Sequence, residues 1–191
     1  MEVQSGEDRK EEHAYVLDFM LAGKSSSSRK EPLAQLIGER WFTLLEATTK
    51  PNVMLTLGEK VYIGGGERDK ILLIKNRISY ADLTQTAKNG MQNVITEIVT
   101  ENEKRFVDTF NTAPSINIRQ HSLELLPGIG KKHLNSILKE RSQRKFESFQ
   151  DITNRIALLQ DPKKMVVERI MIELQGNERF YIFVKPYIQK Y

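Results

Sequence analysis

From Ala14 the stretch AYVLDFMLAG sets Tyr15, Leu17, Phe19 and Leu21 two residues apart, the spacing of a strand with one buried face. A polar loop, KSSSSRKEP, follows and ends at Pro32. The run LAQLIGERWFTLLEAT, residues 33–48, is too long for one simple strand, and Gly38 in its middle predicts a bulge or sharp bend. After the break at KPN, Val61-Tyr62-Ile63 and Ile71-Leu72-Leu73-Ile74 stand on either side of a glycine-rich segment and read as a hairpin. Four strand segments at short spacing, one bent about a glycine, predict a small closed or partly open barrel. The five-strand OB barrel is the natural candidate. It needs one more strand. The end of the chain, RFYIFVKPY, alternates Phe180, Ile182 and Val184 against Tyr181, Phe183 and Lys185, and predicts a C-terminal strand that returns to the barrel.

Between these parts the period changes. Leu83, Ala87, Met91, Val94, Ile95, Ile98 and Val99 follow helical spacing, and Phe106 and Phe110 continue it. Asp82 with Gln85 resembles a capping box at the start. NTAPS, residues 111–115, ends this helix or helix pair, and short helices fill the remainder to Gln175. The predicted fold class is α+β. Residues 1–12 form a disordered tail, 13–81 an OB-like barrel, 82–115 a helical connector, 116–176 a helical domain and 177–191 the closing strand.

The segment LLPGIGKKHLNSIL, residues 125–138, carries the clearest chemistry. Pro127 stops a first helix, and Gly128 and Gly130 permit backbone angles and close approach that a side chain would prevent. Ile129 anchors the turn between two helices. The second helix then starts with free N–H groups pointing outward, a ready anion site, and Lys131 and Lys132 place positive charge beside it. These residues resemble the helix-hairpin-helix motif of nucleic-acid-binding proteins. Downstream, RSQRKFESFQDITNRIALLQDPKKMVVERIMIEL resembles the second half of a tandem helix-hairpin-helix domain, with Phe146 and Phe149 in the connecting segment and Ser148 capping a connecting helix. Its turn departs from the pattern: it has no glycine, and Asp161-Pro162 form an N-cap and N1 pair instead. The second hairpin therefore reads as mainly structural, with Lys163 and Lys164 as auxiliary contacts. The whole arrangement also resembles an uncharacterised archaeal family, a domain of unknown function with expected nucleic-acid-binding parts. That resemblance implies an architecture and an archaeal origin but no reaction.

Charge strengthens the polyanion reading. The 191 residues carry 29 Lys+Arg and 25 Asp+Glu, and residues 117–191 hold 14 of the former against 8 of the latter. A solvated basic face is the plain alternative. The candidate nucleic-acid contacts are Gly128, Ile129, Gly130, Lys131, Lys132 and His133 in the hairpin, with Arg68, Lys75 and Arg77 on the barrel. Trp41, Phe42 and Tyr62 are candidates for a base-stacking platform or for core. IGGGERDK, from Ile63, lacks the phosphate-loop pattern and reads as a flexible turn.

Other chemistries lose support. No cysteine is present, which removes disulfides, thiol catalysis and thiolate metal sites. His13, His121 and His133 are scattered, so neither a metal nor another cofactor is expected. Asp151 lies roughly where glycosylases of the hairpin class carry a catalytic aspartate, but ESFQDI fits helix capping. No run approaches a membrane span, and the polar, acidic first dozen residues are unlike a signal peptide. The expectation is a cytoplasmic, non-enzymatic protein that binds DNA or RNA with little sequence preference. A protein-interaction adaptor using the hairpins as a docking surface is the alternative, and a nuclease the third reading.

Overall fold

The computed structural model describes residues 10–23 and 31–187. It divides into two compact units, Met1–Val94 with Glu173–Tyr191, and Ile95–Ile172.

The first unit is built on an antiparallel sheet of five strands: β1 (His13–Met20), β2 (Leu33–Gly38), β3 (Leu44–Thr49), β4 (Lys60–Tyr62) and β5 (Ile71–Arg77). The order is β4-β1-β2-β3-β5, and the sheet curls into a half-barrel. Ala14, Val16, Leu36, Leu45, Ala47, Val61 and Ile71 form its core, with Phe19 and Ile74 packed against them. Phe19 joins Val16 there because the register of β1 against β2 shifts between Val16 and Asp18. That bulge changes the parity of the strand, so the expected single face of Tyr15, Leu17, Phe19 and Leu21 is broken. Leu21 lies beyond the strand and is exposed.

The run 33–48 is two strands and a tight turn, not one bent strand. A buried carboxylate from a distant part of the chain makes the turn. Glu11 accepts the N–H groups of Arg40 at 2.9 Å, Trp41 at 2.9 Å and Thr43 at 3.2 Å. Its side chain fills the space that a Cβ on Gly38 would need, 2.1 Å away. Residues 10–12, expected at the end of a disordered tail, therefore belong to the fold. The expected hairpin from Val61 to Ile74 is also absent: β4 pairs with β1 and β5 with β3, on opposite edges of the sheet.

A short 3-10 turn (Tyr80–Asp82) leads into α1 (Gln85–Glu101). The capping box belongs to that turn, through Ser79 and Asp82. Thr84 caps α1 instead, accepting the Ala87 N–H at 3.1 Å while its hydroxyl donates to Asp18 at 2.6 Å. The stripe Leu83, Ala87, Met91, Val94, Ile95, Ile98 and Val99 is buried throughout.

The C-terminal stretch does not form the expected strand; residues 176–187 carry no strand pairing. Phe183 and Val184 are buried side by side, which an alternating strand does not allow. The stretch still returns to its unit. Lys185 N–H donates to the Trp41 carbonyl at 3.1 Å. The part of the expected strand beyond residue 187 lies outside the described residues.

The second unit holds the end of α1, then α2 (Glu103–Thr112), a small hairpin of β6 (Ser115–Asn117) and β7 (Gln120–His121), a 3-10 turn (Ser122–Leu125), α3 (Lys131–Gln143), α4 (Phe149–Arg155) and most of α5 (Pro162–Gln175). Phe106, Val107, Phe110, Leu123, Ile137, Phe146, Ile152 and Ile170 are among its buried side chains.

Candidate nucleic-acid interface

The joint between the 3-10 turn and α3 is a tight reversal. Ile129 N–H donates to the Leu126 carbonyl at 3.1 Å. Leu126 and Ile129 are buried and hold the turn from inside. Gly128 has φ +85°, a conformation that side chains rarely adopt. A Cβ there would also stand 3.2 Å from Met165 Cε and 3.3 Å from Gln160 Oε1, so the start of α5 and the residues just before it pack against this turn.

Gly130 has a different reason. It is the N-cap of α3, at φ −94°, which any residue adopts, and a Cβ there would meet nothing within 4 Å. No side chain caps this helix. The first helical bond is Leu134 N–H to Gly130 O at 2.9 Å, so the N–H groups of Lys131, Lys132 and His133 precede it. The start of α5 is the opposite case. Asp161 accepts the N–H groups of Lys163 at 2.9 Å and Lys164 at 3.4 Å, and its carboxylate covers that helix end. The start of α3 is thus a bare helix N-terminus, whereas α5 fills its own.

The lysines divide as well. Lys131 Nζ is 2.8 Å from Glu124 Oε1 and donates to the Arg119 carbonyl at 3.2 Å, so it clamps the β6–β7 tip to the hairpin. The Glu124 carboxyl is held below its usual range by the His121 N–H, then by Lys131. Lys132 is exposed in the first turn of α3. His133 Nδ1 lies 3.1 Å from the Gly128 carbonyl. A carbonyl only accepts, so Nδ1 carries the proton and Nε2 faces away from that bond. The structure thus gathers Gly128, Ile129, Gly130, Lys131, Lys132 and His133 in one turn. Arg119 and Gln160 join them from distant parts of the chain, and neither carries a sequence signal.

Arg68, Lys75 and Arg77 lie in the other unit and are engaged there. Arg68 Nε donates to the Gly64 carbonyl at 2.9 Å, within a turn whose Gly66 N–H donates to the Tyr62 hydroxyl. Lys75 is 3.8 Å from Glu31. Arg77 Nη2 donates to the Lys185 carbonyl at 2.9 Å, and burial lowers the pKa of its guanidinium. The aromatic platform does not assemble: Phe42 is fully buried, Trp41 is half-buried under Arg40, and Tyr62 packs edge-on against His13.

His121 ties the stability of this unit to pH. It is buried, and its Nδ1 accepts the Leu123 N–H at 3.1 Å, a bond that protonation would break. Burial, then the charge of Arg141, pushes its pKa below the ordinary 6.5. A folded value below the unfolded one gives a contribution that is complete above 6.5 and is lost as pH falls from there toward the folded value. His121→Asn keeps a capping acceptor without a titrating ring. Urea denaturation at about pH 7 and about pH 5 is expected to show a smaller loss of stability for the variant than for the parent. Equal losses would remove His121 as the cause.

Asp151 is a structural carboxylate. It bonds Arg144 at 3.1 Å, Arg155 at 3.1 Å and the Glu147 N–H at 3.2 Å. Burial would raise its pKa, but the Glu147 N–H and the two arginines outweigh it and hold it low. Among the described residues no group of three or more His, Asp or Glu could hold a metal ion, and no helix is long and apolar enough to cross a membrane.

The profile of one protein family, described as "Protein of unknown function (DUF655)", matches residues 10–185. The chain belongs to the DUF655 family. An uncharacterized protein of Methanocaldococcus jannaschii, MJ0038, is 44% identical over 177 residues, covering 92% of this chain and 80% of that protein. The crystal structure of the DUF655 protein Af1531 from Archaeoglobus fulgidus matches with a TM-score of 0.84 at 45% identity, over 92% of this chain and all of that one. These DUF655 relatives are archaeal, as the sequence resemblance implied. Their descriptions assign no activity.

Proposed function

We propose that this protein binds nucleic acid, DNA or RNA, without catalysis and with little sequence preference, in a cytoplasmic setting. The grip is the first hairpin, in which the N–H groups at the start of α3 receive a backbone phosphate and Lys132 adds charge. The carrying observation is Gly130. Neither its φ nor its packing asks for a glycine, and its missing side chain leaves the bare helix end open to the outside. A phosphate held there touches backbone, which carries no sequence information. The paired turns at Leu126 and Ile156 support reading the second unit as a tandem helix-hairpin-helix domain with one working grip. The strand order β4-β1-β2-β3-β5 supports reading the first unit as an OB-like sheet opened between its edges.

Gly130→Asp separates binding from folding. Aspartate is a favoured N-cap, and its charge suits a helix N-terminus. The variant is expected to match or exceed the parent in stability. It should nevertheless bind all nucleic acids more weakly, because its carboxylate fills the grip as Asp161 fills the other. The slope of log affinity against log salt should flatten by ~0.7–0.9 for each phosphate that the protein no longer neutralises. Measurement is by anisotropy with single- and double-stranded DNA and RNA at two salt concentrations. Undiminished affinity in a folded Gly130→Asp protein would sink the proposal.

A further inference from the structure

Four described residues other than glycine hold a positive φ: Phe42 at 51°, Asn52 at 61°, Leu158 at 61° and Asn177 at 65°. Asparagine tolerates this region. Phe42 is fully buried, and its packing offsets the strain. Leu158 has neither excuse, for it is 87% exposed. A bulky residue in this conformation is an outlier that costs stability, and such strain collects at functional sites.

Its position is as telling as its strain. Leu158 is the third residue of a turn closed by Leu159 N–H to the Ile156 carbonyl at 3.4 Å. The matching place in the first hairpin is Gly128, at φ +85°. Where the backbone favours glycine, the second hairpin carries an exposed leucine. Gln160, two residues on, packs against Gly128 together with Met165. A second exposed apolar side chain, the fully exposed Ile118, stands at the β6–β7 tip next to Arg119, whose carbonyl takes Lys131. One apolar tip therefore adjoins the grip through Gln160 and another through Arg119.

We propose that Leu158 is an apolar wedge that enters between bases of a nucleic acid held by the first hairpin, with Ile118 as a second apolar contact. This rests on the nucleic-acid reading above and deepens it. An apolar tip followed closely by Lys163 and Lys164 suits a ligand that offers both phosphates and base faces. A wedge costs the least unstacking where stacking is already weak, so the favoured ligand is a duplex with an unpaired or flexible step.

The test uses the full chain and two synthetic DNA duplexes, one with an unpaired 2-aminopurine and the other fully paired. The parent is expected to prefer the first roughly tenfold and to change the probe's fluorescence on binding. Leu158→Asn accepts the positive φ and removes the apolar side chain. It is expected to hold or raise the denaturation midpoint, keep its affinity for the paired duplex, and lose both the preference and the fluorescence change. A parent that binds both duplexes alike, or a variant that keeps the preference and the signal, would overturn the wedge while leaving the hairpin grip in place. Binding to neither duplex would overturn the wedge, and the nucleic-acid reading would then stand or fall on the assay with single strands and RNA.

Discussion

Replacing Arg155 with methionine is expected to destabilise the Ile95–Ile172 unit by about 3 kcal/mol, enough to unfold a marginal domain. Arg155 ends α4, and its side chain is 14% exposed. All its donors are engaged. Nε reaches Glu140 Oε2 at 3.2 Å, and Nη1 reaches Asp151 at 3.1 Å and the Lys145 carbonyl at 3.4 Å. Nη2 reaches the carbonyls of Glu140 and Arg144 at 2.8 Å each. The guanidinium also lies 4.4 Å over the Phe146 ring. It thus adds a second donor to the Glu140 carbonyl, which already accepts the Arg144 N–H, bonds the Arg144 and Lys145 carbonyls just past α3, and ties that helix end to α4. Methionine keeps the apolar cover of Phe146 but takes a charged partner from Glu140 and one of two arginines from Asp151, and leaves the carbonyls of Arg144 and Lys145 without this donor. Lysine keeps charge but lacks the planar fork, so Arg155→Lys should recover only part of the loss. Asp151 adds a second readout. Its lowered pKa gives stability that is present above the ordinary carboxylate value and lost as pH falls through the folded one. In Arg155→Met the acid limb of the stability profile should be shallower. Urea denaturation across pH decides it, and a variant as stable as the parent would show the network to be ornamental.

How far the chain could be read without its structure depends on the range of the interactions. The stripe Leu83–Val99 is legible because one helix face records itself at three- and four-residue spacing. The turn before α3 is equally local: Pro127, Gly128 and Ile129 each have a reason inside five residues. The division of 33–48 into two strands is not local at all. It depends on Glu11, whose carboxylate organises a turn some thirty residues later, and one glutamate among several before β1 carries no such mark. The partners of β4 and β5 are hidden for the same reason. Adjacent strands with a glycine-rich joint look like a hairpin, but β1 and β3 compete for their edges and win. Within the site, the identity of Gly130 is readable and the diversion of Lys131 to Glu124 is not. A run of two lysines does not say which one pairs with a carboxylate. The wedge candidate is the extreme case, because leucine at position 158 looks like core until the backbone angle and the exposure are known.

Glu173→Gln should release the C-terminal stretch and destabilise its unit by about 3 kcal/mol. Glu173 is 1% exposed. One carboxylate oxygen accepts the Ile182 N–H at 2.7 Å, and the other accepts Phe183 at 2.9 Å and Val184 at 2.8 Å. Three consecutive N–H groups converging on a buried carboxylate explain why this stretch is not a strand. Its donors go to one side chain instead of a neighbouring ladder. An amide has almost the same shape but one oxygen. Whichever way it turns, at least one N–H then faces an NH2, a buried donor against a donor. Loss of this anchor should loosen the bonds downstream, where Lys185 N–H meets the Trp41 carbonyl and Arg77 holds the carbonyls of Lys185 and Pro186. Two measurements test this together. Chemical denaturation should show the loss, and amide hydrogen exchange should show faster exchange at residues 182–185 than in the β1–β2 ladder. A chain truncated after Gly176 is the limiting control and should be at least as unstable, since it removes Phe183 and Val184 from the core as well. If Glu173→Gln keeps both its stability and its protected amides, the carboxylate is not the anchor, and burial of Phe183 and Val184 alone must hold the stretch in place.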